Sequence, residues 1–313
     1  WDMYHTKAHI NLIVCGSIFS MMTKIFKDKK EPLYNRQTRF MSIKPFTPAV
    51  LKEIMAEYNP NYTSEDLLAL YSFTGGVAKY VQLLVDAGAT TKTKMLNHII
   101  KADSVFLGEG KAILIEEFGK DYGVYFSILS AIARGKTLRS EIEQIVGREI
   151  GGYLTKLEKE YEVITKNQPI FEKSSTKNVR YTIEDNFFTF WFRFIYKYNY
   201  MLEIENYDAV KTIINRDYET FSGKMLERYF KRVLMESKAY TRIGSWWDRK
   251  GENEIDIVAE NELNDEAVFI EVKRQEENFD AIALNEKVDV FTRATGKFKD
   301  YAVSQKGLSM TNM

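Results

Sequence analysis

The sequence has one cysteine, no net charge and no apolar run long enough to cross a bilayer. Each shortage excludes something. A lone Cys15 rules out an intrachain disulfide framework and a zinc site built from several cysteines. Basic and acidic residues number 44 each, so bulk electrostatics gives no route to nucleic acid, and any DNA contact has to come from local patches. The apolar run at 10–14 falls far short of the ~20 residues of a spanning helix. The aromatic stretch 187–200 carries Arg193 and Lys197 and reads as a buried helix, so no membrane association is expected. No signal-peptide pattern is present, which with the single cysteine suits a reducing cytoplasm. Internal repeats and low-complexity tracts are absent too.

What remains is a chain of 313 residues, 45% hydrophobic, with length for two or three domains of about 100–150 residues each. It opens at Trp1 without methionine and runs almost at once into a strand pattern, which reads as a partial chain. Residues 10–15 form a continuous β-branched run ending at Gly16-Ser17, the pattern of a buried strand with Cys15 as a small buried residue. A short helix fits 20–27. Thr47-Pro48 marks a helix start, and helical patterns through 62–72, 76–87 and 92–117 build a small bundle. The rhythm then changes. Helices at 122–134, 138–146 and 149–161 are followed by strands at 163–166 and 179–183 around the loop 167–178. Thr137 is placed to cap the second of these helices, with Glu141 reaching back and Gly147 stopping it. Three short helices and a two-stranded wing make a winged helix-turn-helix.

Linking helices at 187–200 and 209–218 precede a longer helix at 222–236. Strands at 239–247, 254–259 and 267–273 follow, then a helix at 280–292, and the tail from Lys306 has too little pattern to be more than loose. The chemistry gathers in this final third. Alternate residues of a strand share a face, so Glu254, Asp256 and Val258 should point one way and Ile255 and Ile257 the other; Glu271 and Lys273 likewise share a face. If the two strands are neighbouring hairpin arms, Asp256 and Glu271 converge. Two carboxylates with water form a hard oxygen site suited to Mg²⁺ or Mn²⁺. Such an ion polarises a phosphate, and a lysine two residues from a ligand can orient water or stabilise developing charge.

The helix glutamate Glu227, the strand Ile-Asp256-Ile-Val and the strand Ile-Glu271-Val-Lys273 resemble, in order and spacing, the PD-(D/E)xK nuclease superfamily. The resemblance implies Asp256 and Glu271 as metal ligands, Glu227 as an outer or additional ligand and Lys273 as the water-positioning or charge-stabilising group. The alternatives are a solvated salt-bridge network on a sheet face, or a nuclease fold that binds without cutting.

Nearly the whole chain, in the right order, is similar to an archaeal and bacterial family of P-loop ATPases related to AAA and STAND NTPases. The likeness rests on residues 10–22, on Pro32-Leu-Tyr-Asn-Arg36, on Ser72-Phe-Thr-Gly-Gly-Val-Ala-Lys-Tyr80 and on the segment from Arg180 through Asp185 and Trp191 to Arg193. It implies an α/β plus α chain: the C-terminal remnant of a P-loop ATPase core at 1–46, a helical lid at 47–117 and a winged helix at 118–186. Linking helices at 187–221 and a PD-(D/E)xK nuclease-like domain at 222–313 would complete it. Residues 10–16 would be the sensor strand, Ser17 would stand near the γ-phosphate of ATP, and Arg36 would reach phosphate in its own subunit or a neighbour's within a homo-oligomer. Ala78 departs from the family's lid proline. No GxxxxGK[ST] occurs: Gly135-Lys136-Thr137 has Ser130 where the first glycine belongs, and no preceding strand. ATP binding therefore belongs to a longer protein, and Ser17 and Arg36 can equally be ordinary strand-end and loop residues.

The other candidates are weaker. His5 and His9 lack the glutamate of a zinc protease motif and read as surface histidines. Lys156 and Lys159 share their helix with Glu158 and Glu160, which favours packing or assembly over DNA readout, while Lys166, Lys173, Lys177 and Arg180 of the wing argue the other way. Trp246 and Trp247 are expected in the core, one of them free to stack on a base or a ring.

Overall fold

The computed structural model describes residues 13–16, 19–173 and 175–313. Ser17, His5 and His9 lie outside the described residues. The expected strand at 10–15 does not form over its described part. Residues 13–16 are irregular, Ile13 is 88% exposed, and Cys15 is exposed rather than buried. A strand needs a neighbour for its backbone groups, and none pairs with this segment among the described residues.

α1 (Phe19–Lys27) leads by a long loop to a helical bundle. α2 (Pro48–Tyr58) starts at Thr47, whose hydroxyl accepts the Val50 N–H, with proline at its first position. α3 (Ser64–Thr74) is the bundle's centre: every residue from Asp66 to Thr74 is buried. Thr63 and Asp66 cap it reciprocally, and the second Asp66 oxygen accepts the Lys92 N–H at 2.7 Å, joining α3 to a later helix of the bundle. α3 ends at Gly75 and Gly76, both at positive φ; the Gly76 carbonyl accepts the Phe46 N–H, and a Cβ there would strike the Phe46 backbone.

α4 (Ala78–Asp86), α5 (Lys92–Ile99) and α6 (Val105–Phe118) follow. The continuous helix expected over 92–117 is thus broken, at a turn through Asp103, which stands at φ 56.

Next come α7 (Tyr122–Ala133), α8 (Arg139–Val146), α9 (Gly151–Lys159) and an antiparallel ribbon of β1 (Ile164–Asn167) and β2 (Arg180–Ile183). Thr137 does not cap α8. Its carbonyl accepts the Tyr181 N–H of the ribbon, and the cap is Leu138, whose N–H goes to Glu141. The loop between β1 and β2 is docked. Ile170 donates its N–H to the Ser245 carbonyl at 2.9 Å, and Ile170 and Phe171 enter an apolar cluster with Trp246, Phe291 and Phe298.

α10 (Asn186–Phe190) continues into a π-helical turn (Trp191–Tyr196) and α11 (Asn199–Glu203). α12 (Tyr207–Ser237) is then one helix of 31 residues where the sequence suggested two. No helix breaker stands between the two stretches, and the buried Tyr218, Phe221 and Ser222 carry the apolar face across the join. A four-stranded sheet closes the chain: β3 (Arg242–Trp247), β4 (Glu254–Asn261), β5 (Glu266–Val272) and, after α13 (Ala281–Thr295), β6 (Ala302–Leu308). The order is β3-β4-β5-β6, with β6 parallel to β5 and the other pairs antiparallel. The tail expected to be loose from Lys306 is therefore ordered: it begins with the end of this edge strand and goes on to a short helical turn (Met310–Asn312). Most of the strand's side chains are exposed, so the backbone ladder to β5 holds it without an apolar period in the sequence. A Cβ on Gly307 would meet the Phe279 ring.

The sheet lies between α12 and α13. Ile257, Ile270 and Val272 join the large core that α12 shares with the helical bundle, while Ile255, Val258 and Phe269 pack with Leu284, Val288 and Phe291 of α13. The regular alternation expected for β4 fails, since Ile255 and Ile257 fall on opposite sides and Val258 joins Ile255. The cause is a bulge. Two steps on β3, from Gly244 to Trp246, match three on β4, from Val258 to Ile255. No helix among the described residues is long and apolar enough to cross a membrane.

Asp185 caps α10 by accepting the Phe188 N–H at 3.1 Å beside the α3–α4 turn. Burial pushes its carboxyl up to about 6, against the pull of two backbone N–H groups and Arg228. A folded-state value above the unfolded one favours the protonated folded protein, so this contribution is full below pH 4 and is lost as pH rises through about 6. Asp185→Asn keeps an acceptor and removes the charge. Urea melts should show the variant gaining about 2 kcal/mol on wild type between pH 4 and pH 8.

Candidate functional site

Three carboxylates meet where α12 passes the ends of β4 and β5, and each is neutralised differently. Glu227 stands on α12, one turn beyond Lys224, whose ammonium lies 2.9 Å from its Oε1 and 3.1 Å from its Oε2. Burial, reinforced by Asp256 and Glu254, pushes the Glu227 carboxyl up to about 7 even though Lys224 pulls it down.

Glu271, on β5, is buried and held twice. Lys273 approaches Oε1 at 2.7 Å, and Lys287 of α13 approaches Oε1 at 3.0 Å and Oε2 at 2.8 Å. Burial alone would raise the Glu271 carboxyl, but the two ammonium groups win and hold it below its ordinary range. The Lys273 ammonium is correspondingly raised, its own burial outweighed by Glu271.

Asp256 differs from both. It sits at the bulge, where regular pairing of β4 with β5 stops at Ile257 and Ile270. Its Oδ2 accepts the Val272 N–H at 2.8 Å, standing in for the missing ladder partner. No cation among the described residues lies within ion-pair distance of it. Burial raises its carboxyl, and so does Glu271, against the Val272 N–H, Lys224 and Lys273. Asp256 is thus the carboxylate whose charge is least compensated.

The structure brings together Glu227, Asp256, Glu271 and Lys273, the four residues singled out in the C-terminal sequence. Among the described residues, no group of three His, Cys, Asp or Glu side chains is close enough to hold a metal ion alone. Arg36 is not part of the cluster. It is exposed in the loop after α1, with its N–H donated to the Leu33 carbonyl.

Sequence reasoning missed Lys224 and Lys287. Both were visible as lysines bordering an apolar stripe: Lys224 precedes Glu227 by three residues, and Lys287 lies between the buried Leu284 and Val288. The ribbon also reaches this region. Arg180 places Nη1 2.8 Å from Glu254, two residues ahead of Asp256, and its guanidinium covers the Trp247 ring at 4.5 Å. Trp247 Nε1 donates to Asn178 Oδ1 at 2.9 Å. Both tryptophans are buried, and neither is free to stack on a base.

Residues 191–288 match the DUF234 family, described as archaea bacterial proteins of unknown function. The match takes in all three carboxylates and all three lysines. An uncharacterized protein of Methanocaldococcus jannaschii is 32% identical over 287 residues, covering 87% of this chain. The chain spans 61% of the length of that relative. No solved structure matches the chain.

The Asp256–Val272 bond sets an order of stability. Asp256→Ala leaves a half-buried N–H without a partner and should cost about 1–3 kcal/mol in denaturant melts. Asp256→Asn keeps an acceptor oxygen and relieves repulsion, so it should stay close to wild type. Equal losses in the two variants would show that the bond contributes nothing.

Proposed function

We propose that this chain is the C-terminal portion of a P-loop ATPase of the AAA and STAND kind, carrying a metal-dependent nuclease-like domain that acts on DNA. On this reading the ATP site belongs to a longer protein, with Arg36 as its phosphate-reaching residue and a homo-oligomer as its working form. The observation that carries the nuclease-like part is Asp256: a desolvated carboxylate with no ion-pair partner among the described residues, beside Glu271 and Glu227.

The donor set suits a small hard cation. Mg²⁺ commonly uses only one or two protein carboxylates and completes its shell with water and phosphate oxygens. Asp256 and Glu271 would hold the ion, with Glu227 outside them. When bound, the ion would supply positive charge for a scissile phosphate and acidify water. Lys273, already 2.7 Å from Glu271, would then be free to turn toward the phosphate. Burial holds the Glu227 carboxyl up to about 7 in the metal-free site, and a cation beside it would draw it down into the carboxylate form.

One observation favours the non-catalytic alternative. Three lysines balance the three carboxylates, so the cluster can stand as a structural ion network in a nucleotide-controlled switch or a binding module.

Nicking of plasmid and of single-stranded DNA separates the readings. Cleavage should need Mn²⁺ or Mg²⁺ and fall at least about 100-fold in Asp256→Asn, which stays folded. Metal-independent, salt-sensitive DNA binding without cleavage would support the binding module instead.

A further inference from the structure

We propose that Arg274 positions the acid site and couples it to the buried helix α3. The inference rests on reading that site as a metal centre. Lys273 and Arg274 are consecutive at the end of β5, so their side chains leave in different directions. Lys273 turns to Glu271. Arg274 turns to the helical bundle, where Nη2 lies 2.6 Å from Glu65 Oε2 and Nη1 lies 2.6 Å from Ser222 Oγ. Its guanidinium stands 5.6 Å from the centre of the Tyr218 ring, and Lys92 approaches both that ring and Glu65.

Three elements therefore share one guanidinium. Glu65 belongs to the first turn of α3. Ser222 belongs to α12, five residues before Glu227. Arg274 itself follows the strand that carries Glu271. The arginine side chain is only 18% exposed, and Glu65 only 29%, so the pair is little screened by water. Ser222 is fully buried and its hydroxyl also bonds the Tyr218 carbonyl, which fixes its position. A planar guanidinium holding two partners from two helices defines how far α12 stands from the end of β5, and hence the gap between Glu227 and Asp256.

The same geometry gives the site a route to α3. A cation taken up by Glu271 has to displace Lys273 and Lys287 from its oxygens, and the backbone at 273–274 carries that change to Arg274. Glu65 then passes it to the capped start of α3, the helix on which the bundle packs.

The test uses the whole chain, Mn²⁺ and two readouts. Free Mn²⁺ is followed by electron paramagnetic resonance, and amide exchange is followed across residues 64–74. In wild type, Mn²⁺ should slow exchange in α3. Arg274→Met should weaken Mn²⁺ binding about tenfold and abolish the α3 response, with the circular dichroism spectrum retained. Glu65→Ala removes the arm to α3 and leaves the Ser222 bond in place; it should lose the α3 response while changing Mn²⁺ affinity less than Arg274→Met does. Wild-type affinity in Arg274→Met together with an intact α3 response would make Arg274 a mere strut and overturn the proposal. Mn²⁺ binding that is absent in wild type, or unaffected by Asp256→Asn, would instead remove the metal-centre reading, and this inference with it.

Discussion

The constraint on which the rest depends is the crowding of three carboxylates where α12 passes the ends of two strands. Like charges in a partly desolvated corner repel, and the fold answers with a lysine from each surrounding element. Lys224 comes from the helix, Lys273 from the strand end and Lys287 from α13 on the far side. The compensation is uneven. Among the described residues Glu271 receives two ammonium groups and Asp256 none, so one carboxylate of the three is left without an ion pair. This imbalance separates the cluster from an ordinary surface network, where pairs are exposed and contribute little.

α12 makes the arrangement possible because it serves two packing tasks along one uninterrupted length. Its buried residues from Val210 to Phe230 join the helical bundle and the inner face of the sheet in a single core. The β1–β2 ribbon is bound into the same assembly from the other side. Ile170 and Phe171 pack under the sheet, Asn178 and Trp247 exchange hydrogen bonds, and Arg180 is spent on Glu254 and Trp247. A ribbon held this way is an internal support. Reading DNA with it as a free wing would first require breaking these contacts. That agrees with the mixed charge of α9, where Lys156 and Lys159 share a short surface with Glu158 and Glu160.

Much of the candidate site was legible in the sequence because its signal is local. Period-two alternation around Asp256 and Glu271 marks two strands, and the helix carrying Glu227 has a plain apolar stripe. The less legible parts have physical reasons. The β4 bulge depends on the register with β3, which no single strand reveals, so the faces of Val258 and Ile257 were misassigned. β6 is held by backbone hydrogen bonds and leaves most side chains exposed, so it has no apolar period to read. The pairings of Lys287 and Arg274 were hidden because their partners, Glu271 and Glu65, lie 16 and 209 residues away. At the N-terminal end, residues 13–16, the described part of the expected strand, have no partner strand among the described residues.

The most direct test of the central claim is a crystal structure with Mn²⁺, read by anomalous scattering. The account predicts a single strong peak shared by Asp256 and Glu271, with Lys287 withdrawn from both Glu271 oxygens and Glu227 facing the ion from α12. Anomalous density elsewhere, or none, with both lysines still on Glu271 would contradict it and leave a structural ion network in its place.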